Sequence, residues 1–342
     1  MLPFFKKKKS VIFDGDMGGD DLWAIGLLLA HRKRFDLLGI STVFGNVSLP
    51  QATKVTLGFL EWMKVKDIEV AQGSALARDN VSPLGDNAFG DDGVGGVVFP
   101  KTDMKANEGD IADWYMAKLN ASKEPVTIIA TGPMTNIAYL LAKYPEAKNK
   151  IAEVIWMGAA DHPPGKNGKP VFVGDRERRG NITLNAEFNA YIDPQAINEV
   201  IRSGANLTIM SADATQHMVL TSQRQRKIAE LHNAYGPDLV KMMTVVEELD
   251  RTKFGVKGSF IHDPNAVAYF LKPKLFKARK GVGISFEEAA PDFDGARGQV
   301  RMEGEGNVTW VYGVKSKSEI FKTIRNGLSK MVDHAIGLHH DL

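Results

Sequence analysis

Four aspartates fall within eight residues near the start of the chain, in the sequence Asp14-Gly15-Asp16-Met17-Gly18-Gly19-Asp20-Asp21. Carboxylates this close together repel one another unless a cation lies between them. An all-oxygen set of ligands selects a hard cation, Ca²⁺ or Mg²⁺. Helix capping would explain Asp20 and Asp21, but it does not explain Asp14 and Asp16, which follow an apolar run. The pattern therefore favours a metal site over a solvated loop.

Polar residues also follow later apolar runs or begin later helices. In chain order they are Gly45-Asn46, Thr131-Gly132-Pro133, Met157-Gly158 and His262-Asp263-Pro264. In an open α/β sheet, ligands bind beyond the carboxyl ends of the strands, so we expect these residues near the four aspartates. Asp263 could complete a metal shell or cap the helix that follows it.

The elements that position these residues alternate along the chain. Short β-branched runs alternate with amphipathic segments, which predicts an open, mostly parallel α/β sheet with helices on both faces. Strands are predicted at 11–13, 37–44, 68–70, 125–130, 154–156, 207–210 and 307–314. Helices are predicted at 20–32, 51–64, 111–119, 134–143, 194–203, 265–271 and 318–335.

Three segments interrupt this alternation. Residues 79–100 are rich in Gly and Asp, residues 161–180 are rich in Gly, Pro, Lys and Arg, and residues 223–251 form a charged, helical insertion. The first two exceed ordinary connections, and such loops are usually functional or disordered. Because the chain has no internal repeat, linker or shift in composition, we expect one domain over 1–342 with these insertions.

The composition excludes several classes of protein. The 342 residues include 43 Lys and Arg against 41 Asp and Glu, so nothing in the net charge of +2 calls for a nucleic-acid partner. Hydrophobic residues at 44% and charged residues at 25% are typical of globular domains. The chain has no cysteine, which excludes disulfides, thiolate metal sites and cysteine nucleophiles.

The apolar runs in the sequence bear on membrane association and on the cellular location of the protein. None reaches the ~18 residues that a membrane helix needs, so we expect no membrane partner. The apolar residues 1–5 precede the lysines at 6–9, which is the reverse of the order in a secretory signal. We expect a cytoplasmic protein, and an exported protein whose signal has been removed stays an alternative.

Six segments of the chain resemble motifs of the inosine-uridine-preferring nucleoside hydrolase family, in the family's order. They are Asp14 to Asp21, Phe44 to Val47, Ala130 to Asn136, Trp156 to Gly158, Asn185 to Asn189 and His262 to Tyr269. The first motif alone is weakly specific, because a strand followed by Asp-x-Asp also opens phosphatases of the haloacid dehalogenase type. Six motifs in order over most of the chain make the resemblance specific.

The resemblance implies an open α/β sheet with one Ca²⁺ at the bottom of a ribose pocket. Asp16, Asp21 and Asp263 would supply carboxylate oxygens to the ion, and Thr131 its backbone carbonyl. Ca²⁺ accepts such a set of oxygens in loose geometry. Asp16 would also take a proton from the calcium-bound water that attacks the anomeric carbon. Asp14 would support the loop from behind the ligands.

The resemblance also assigns residues to the substrate. Those expected at the ribose are Asp20, Asn46, Met157, Asn181, Glu187 and Asn189. Asp20 would hold the 2′-hydroxyl, and Glu187 and Asn189 the 5′ end. Asn46 would orient either the metal cluster or the edge of the ribose. His262 is the candidate general acid that protonates the departing base, since an imidazole can do so near neutral pH. The family pattern also implies a homo-oligomer, a dimer or a tetramer.

One segment departs from the family pattern. Members often have His-Gly-x-x-Gly-Leu after the third strand, whereas this chain has Phe89-Gly90-Asp91-Asp92-Gly93-Val94. An aromatic ring at position 89 can stack on a base, but the polar contact of a histidine is lost. This departure leaves the preferred nucleobase open.

Two other functions fit parts of the sequence. A Mg²⁺-dependent phosphatase of the haloacid dehalogenase type would use Asp14 as nucleophile and Asp16 as acid and base. It would also need a second acidic pair at the end of a later strand. The candidate is Asp292-Phe293-Asp294, but its flanking residues are too polar for a buried strand. A ribonucleoside-binding protein without turnover would keep the pocket but would have less need of Asp16. We therefore expect a calcium-dependent hydrolase that cleaves the N-glycosidic bond of purine or pyrimidine ribonucleosides.

Overall fold

The computed structural model describes residues 8–80, 88–161, 180–232, 234–291 and 295–338, together with the backbone of 172–173 and 176–177. Its strands are β1 (Lys9–Gly15), β2 (Phe35–Thr42), β3 (Val70–Gln72), β4 (Val126–Ala130), β5 (Ile151–Met157), β6 (Phe172–Val173), β7 (Arg176–Glu177), β8 (Leu207–Met210), β9 (Val219–Leu220), β10 (Ser259–Phe260), β11 (Phe276–Phe286), β12 (Val300–Glu305) and β13 (Val308–Val314). Its α-helices are α1 (Gly19–Leu29), α2 (Leu49–Trp62), α3 (Ile111–Ala121), α4 (Thr135–Lys143), α5 (Phe188–Ile192), α6 (Pro194–Ser203), α7 (Ala212–Thr215), α8 (Ser222–Ala229), α9 (Gly236–Thr244), α10 (Glu247–Phe254), α11 (Pro264–Leu271) and α12 (Lys317–Ala335).

Nine strands form the central sheet, in the order β12-β11-β13-β8-β5-β4-β1-β2-β3. Neighbours from β13 to β3 pair in parallel, whereas β11 pairs antiparallel with both β13 and β12. The prediction of a mostly parallel α/β sheet is confirmed, and the antiparallel strands lie at one edge, which is common in such sheets.

Strand β1 lies inside the sheet and is buried on both faces. Val11 and Phe13 pack into one hydrophobic core, with α1, α11 and α12, while Ile12 packs into a second core with α3, α4 and α6. Successive side chains of a strand point to opposite faces, so a continuous apolar run can serve both cores. Because β1 lies between β4 and β2, its carboxyl end lies in the middle of the edge of the sheet where the parallel strands end.

Other elements differ from the sequence-based expectation. Strands β11 and β12 were not predicted, because β11 has exposed residues through Lys277–Gly281 and lacks a buried apolar run there. The insertion predicted near 223–251 consists of three short helices, α8, α9 and α10. Residues 81–87, most of the segment 161–180, and Asp292 to Asp294 lie outside the described residues. Within the described residues, no helix combines the length and the apolar character needed to cross a membrane.

Candidate active site

The four aspartates lie at the end of β1, in the loop that follows it and in the first turn of α1, and all four are buried. The amide of Gly18, just before α1, donates to Asp21 Oδ2 at 2.7 Å. A helix N-terminus stabilises nearby negative charge, which favours Asp20 and Asp21 in the first turn of α1. Met17 in this connection has φ +59°, a left-handed conformation that costs free energy for a residue with a side chain. The loop is thus held in a strained shape that brings its acids together.

Three carboxylates meet at this point of the described structure. Ligand oxygens of Asp20, Asp21 and Asp263 lie within 4.8 Å of one another. Asp263 comes from the start of α11, and its amide donates to Asp20 Oδ2 at 3.4 Å. Thr131 follows β4, and its hydroxyl donates to Asp21 Oδ1 at 2.5 Å. The sheet register makes this meeting possible, because Asp14 of β1 pairs with the residue before Thr131.

Electrostatics at these carboxylates favours a cation. Burial raises the pKa of Asp21 to about 8, and the charge of Asp20 adds to the effect. Burial and the neighbouring carboxylates also raise the pKa of Asp16 and of Asp263 well above the ordinary range. An all-oxygen cluster that resists ionisation on its own fits a hard divalent cation. The Asp cluster can therefore bind a metal ion.

Asp16 lies beside this group and is held by Asn46. The backbone amide of Asn46 donates to Asp16 Oδ2 at 2.8 Å, and its side-chain amide donates to Oδ1 at 3.0 Å. Gly45 permits this approach, because a Cβ at position 45 would collide with the Asp16 carboxylate. Asn46 therefore orients Asp16, as one of the two expected roles of Asn46 requires.

Asp14 is buried behind the group. Its Oδ1 accepts hydrogen bonds from Ser41 Oγ at 2.6 Å and from Asn136 Nδ2 at 2.7 Å. Burial raises its pKa to about 6. Ser41 also contacts Tyr115 Oη at 2.6 Å. These contacts tie the end of β1 to β2, α3 and α4, which fits the expected supporting role.

The segment at α5 approaches the same edge of the sheet. Asn189 Nδ2 donates to the Thr131 carbonyl at 2.8 Å and to the Met157 carbonyl at 3.0 Å. Asn189 Oδ1 is buried and has no hydrogen-bond partner among the described residues. Glu187 accepts the amides of Ala159 at 2.8 Å and of Asn189 at 3.1 Å, and burial raises its pKa to about 7. An unsatisfied buried acceptor next to a carboxylate suits a ligand that brings hydroxyl groups.

His262 stands on the other side of the acids, one residue before Asp263. Its Nδ1 lies 2.6 Å from Thr215 Oγ1. Burial lowers the pKa of His262 to about 4, so the ring is neutral near pH 7. A hydroxyl proton donated from Thr215 to Nδ1 places the ring proton on Nε2.

A cavity of about 80 Å³ lies beside Asn46 and His262. Its polar lining includes Asn46, Asn181, Asp250, Lys253 and His262, and its apolar lining includes Phe89, Phe188, Val246, Leu249 and Phe260. The Asn181 side chain also accepts the Phe188 amide at 2.7 Å. The ring of Phe89 lies so close to the β1–α1 loop that a Cβ on Gly18 would collide with it.

Several residues of this site have no signal in the sequence, among them Thr215 and Asp250. Thr215 ends the short helix α7, and Asp250 lies in the charged helix α10, where it is one of several acids. Neither has a neighbouring motif, so only the fold reveals that they line the cavity or hold His262. The four aspartates, Thr131 and His262 lie at one edge of the sheet, the place expected from their strand-end positions. Asn189, which only the resemblance singled out, contacts the Thr131 carbonyl there.

The sequence and the fold of this chain are similar to those of known proteins. Residues 11–322 match the family model for inosine-uridine preferring nucleoside hydrolases. The chain belongs to this family. Its relatives include a pyrimidine-specific ribonucleoside hydrolase of Shewanella oneidensis, 32% identical over 272 residues that cover 79% of this chain and 80% of the relative. An uncharacterised protein of Schizosaccharomyces pombe is 33% identical over 280 residues, covering 81% and 84%.

Solved structures agree with this assignment. A purine-preferring ribonucleoside hydrolase from Gardnerella vaginalis superposes with a TM-score of 0.79 at 27% identity, covering 94% of this chain and 100% of that one. A plant nucleoside hydrolase superposes with a TM-score of 0.82 at 23% identity, covering 94% and 99%, and supports the fold. The protein is thus a ribonucleoside hydrolase, an enzyme that cleaves the N-glycosidic bond of ribonucleosides.

Replacing Gly45 tests how tightly this nucleoside hydrolase holds Asp16. A Cβ at position 45 must push the Asp16 carboxylate away from Asn46, so Gly45→Ala should lower kcat/KM by about 10²-fold, the loss that a displacement of about 1 Å in an active site can cause. Gly313→Ala is the matched control, since its Cβ would meet Lys277 at an ordinary 3.6 Å. Ribose release measures both variants, and equal activities would contradict the positioning role of Gly45.

Proposed function

We propose that this nucleoside hydrolase uses one Ca²⁺ held by Asp16, Asp21, Asp263 and the Thr131 carbonyl. The observation that carries the proposal is the group of buried carboxylates whose oxygens lie within 4.8 Å of one another. That group contains Asp20, Asp21 and Asp263, with Asp16 coupled to it through its charge. Oxygen ligands and loose spacing suit Ca²⁺.

Asp16 is the proposed general base. When bound, Ca²⁺ would supply a Lewis acid that lowers the pKa of water, so the base need not be strong. The hydrogen bond from the Asn46 amide favours the ionised form of Asp16 and opposes the effect of burial. An ionised, oriented Asp16 can take a proton from the water that attacks C1′ of the ribose. Carboxylates around C1′ also stabilise the positive charge that develops there.

The ribose is proposed to lie between α1 and α5. Asp20, in the first turn of α1, would accept the 2′-hydroxyl. Glu187 and Asn189 would accept hydroxyl groups at the 5′ end of the sugar. Asn189 Oδ1 lacks a hydrogen-bond partner among the described residues and can take this role. Met157 and Asn181 complete the expected contacts, and Asn181 lines the cavity.

His262 is the proposed proton donor to the departing base. It lines the cavity with Phe89 and Phe260, which can pack on the faces of a planar base. To protonate the base, His262 must carry a proton on both ring nitrogens, because a neutral ring that gave up Nε2–H would be left as an imidazolate. In that form Nδ1–H donates to Thr215 Oγ1, the Nε2 proton goes to the base, and a neutral imidazole remains. The nucleobase then leaves as a neutral molecule.

The phosphatase alternative finds little support in the position of Asp14. A nucleophile needs a carboxylate free to reach its substrate, whereas Asp14 Oδ1 accepts hydrogen bonds from Ser41 and Asn136, which suits a supporting residue. The second acidic pair, Asp292 and Asp294, lies outside the described residues.

A panel of inosine, uridine, cytidine and adenosine tests the proposed activity. We expect free ribose in equal amounts with free base, and loss of both on prolonged chelation. A binding protein without turnover would give affinity but no ribose. A phosphatase would release phosphate from phosphorylated substrates instead. The panel also measures the nucleobase preference.

Calcium should stabilise the fold by relieving repulsion among the buried acids. A ligand that binds only the native state at 100 times its Kd contributes about 2.7 kcal/mol, so added Ca²⁺ should raise Tm of the chelated protein by about 4 °C for a chain of this length. Asp263→Asn should abolish most of this rise, whereas the surface variant Asp113→Asn should keep it. Elemental analysis should find about one equivalent of calcium, and tightly bound zinc would contradict the assignment.

The assembly state is also part of the proposal. Light scattering should give twice or four times the mass of one chain, as expected of a dimer or a tetramer. The cytoplasmic location stays a prediction, to be checked by fractionating cells that express the protein.

A further inference from the structure

Asp250 is a buried carboxyl that the proposed chemistry does not use. It lies in the middle of α10 with 8% of its surface exposed, and it lines the cavity together with His262 and Phe260. Its Oδ2 accepts the backbone amide of Phe260 at 2.8 Å. A carboxylate can accept several hydrogen bonds on its two oxygens, so this contact leaves acceptor capacity for a ligand.

Burying the Asp250 carboxyl group in the wall of the cavity costs free energy of folding. Burial raises the pKa of Asp250 to about 7, and the charge of Asp20 adds to the effect. The amide of Phe260 and the charge of Lys253 oppose it only in part. Buried ionisable groups in a cleft are candidates for function. Asp250 and Lys253, three residues apart on one face of α10, give the cavity a hydrogen-bond acceptor beside a cation.

We propose that Asp250 determines nucleobase specificity by accepting the ring N–H of a lactam base, an N–H next to a carbonyl. The inference rests on the proposed function, in which the base occupies the space between Phe89, Phe260 and His262. An ionised carboxylate only accepts hydrogen bonds, so it selects a donor edge. The ammonium of Lys253 donates to the Asn181 carbonyl at 2.7 Å, and its positive charge also favours a carbonyl oxygen next to that N–H, as found in uracil and in hypoxanthine.

Substrates that differ only at this edge test the assignment. Uridine is compared with 3-methyluridine and inosine with 1-methylinosine, and p-nitrophenyl riboside serves as a substrate without a lactam. The enzyme is wild type or Asp250→Asn, assayed with calcium about one pH unit above the pKa of about 7. Asparagine has the same shape and keeps an oxygen for the Phe260 amide. Glu248→Gln, an exposed acid on the same helix, is the control.

We expect Asp250→Asn to lower kcat/KM on uridine or inosine by about 10- to 100-fold more than on its methylated partner and on p-nitrophenyl riboside. That range corresponds to one hydrogen bond to a charged group. The inosine pair tests the lactam of a purine and the uridine pair the lactam of a pyrimidine, so the two pairs show which class of base Asp250 selects. Glu248→Gln should match wild type on every substrate.

Three results would overturn the proposal. Equal losses on all substrates would mean that Asp250 only anchors Phe260. Losses on both nucleosides of a pair, but not on p-nitrophenyl riboside, would make Asp250 a proton donor to the leaving group. No loss on any substrate would remove Asp250 from the base site. Failure of the proposed function itself is distinguishable, because wild type would then release ribose from none of the substrates.

Discussion

Asp16→Asn should lower kcat for ribonucleosides by at least about 10²–10⁴-fold, the usual contribution of a positioned base. The amide keeps the shape of the side chain but cannot take a proton from water. It also weakens a proposed calcium ligand, so the loss should exceed that of a base alone. Initial rates of ribose release at saturating Ca²⁺ and substrate measure the effect.

The control for this variant is Asp113→Asn, which removes one carboxylate from the exposed side of α3. Calcium content is measured on both variants. If Asp16→Asn binds a full equivalent of calcium and turns over at the wild-type rate, Asp16 has no part in the mechanism. If it binds none, Asp16 contributes mainly as a ligand, and the base must be assigned again.

His262→Ala should slow natural nucleosides about 10²-fold or more relative to p-nitrophenyl riboside. A nucleobase leaves poorly as an anion and needs a proton, whereas p-nitrophenolate leaves without one. Both substrates present the same ribose to Asp20, Glu187 and Asn189, so the comparison separates leaving-group chemistry from binding of the sugar. The measurement is kcat/KM for inosine, uridine and the activated riboside.

The outcome separates three roles of His262. Equal slowing of all substrates would mean that the ring positions the sugar or the metal. No slowing would make it a structural neighbour of Asp263. Thr215→Val provides a further comparison, because it removes the 2.6 Å contact with Nδ1 and keeps the shape of the side chain. A smaller, similarly selective loss is expected from it.

Much of the site could be predicted because its residues follow the ends of buried strands. Asp14 and Asp16 end the apolar run of β1, and Thr131 follows β4. Parallel pairing of β1 with β4 then brings these residues to one edge. The apolar runs that form the two cores thus also reveal the acids, since a polar residue after such a run is easily recognised.

The remaining features depend on geometry that spacing does not encode. The family resemblance places Asp16 at the metal and Asp20 at the ribose, yet the carboxylates that converge in the structure include Asp20. Asp16 is instead held beside this group by the backbone and side-chain amides of Asn46. Asp250 is reached only because the helices of the insertion fold over the sheet, and no local pattern predicts that placement.

The pairing of Asp14 with Ala130 makes the active site intolerant of length changes in one short stretch of chain. Deleting one residue of β1 would turn the side chains on one side of the deletion from their present core to the opposite one. It would also displace the acids of the loop by about 3.3 Å relative to Thr131. Evolutionary variation in length is therefore expected in the surface connections, whereas the segment from Val11 to Asp21 should keep its residue count throughout the family.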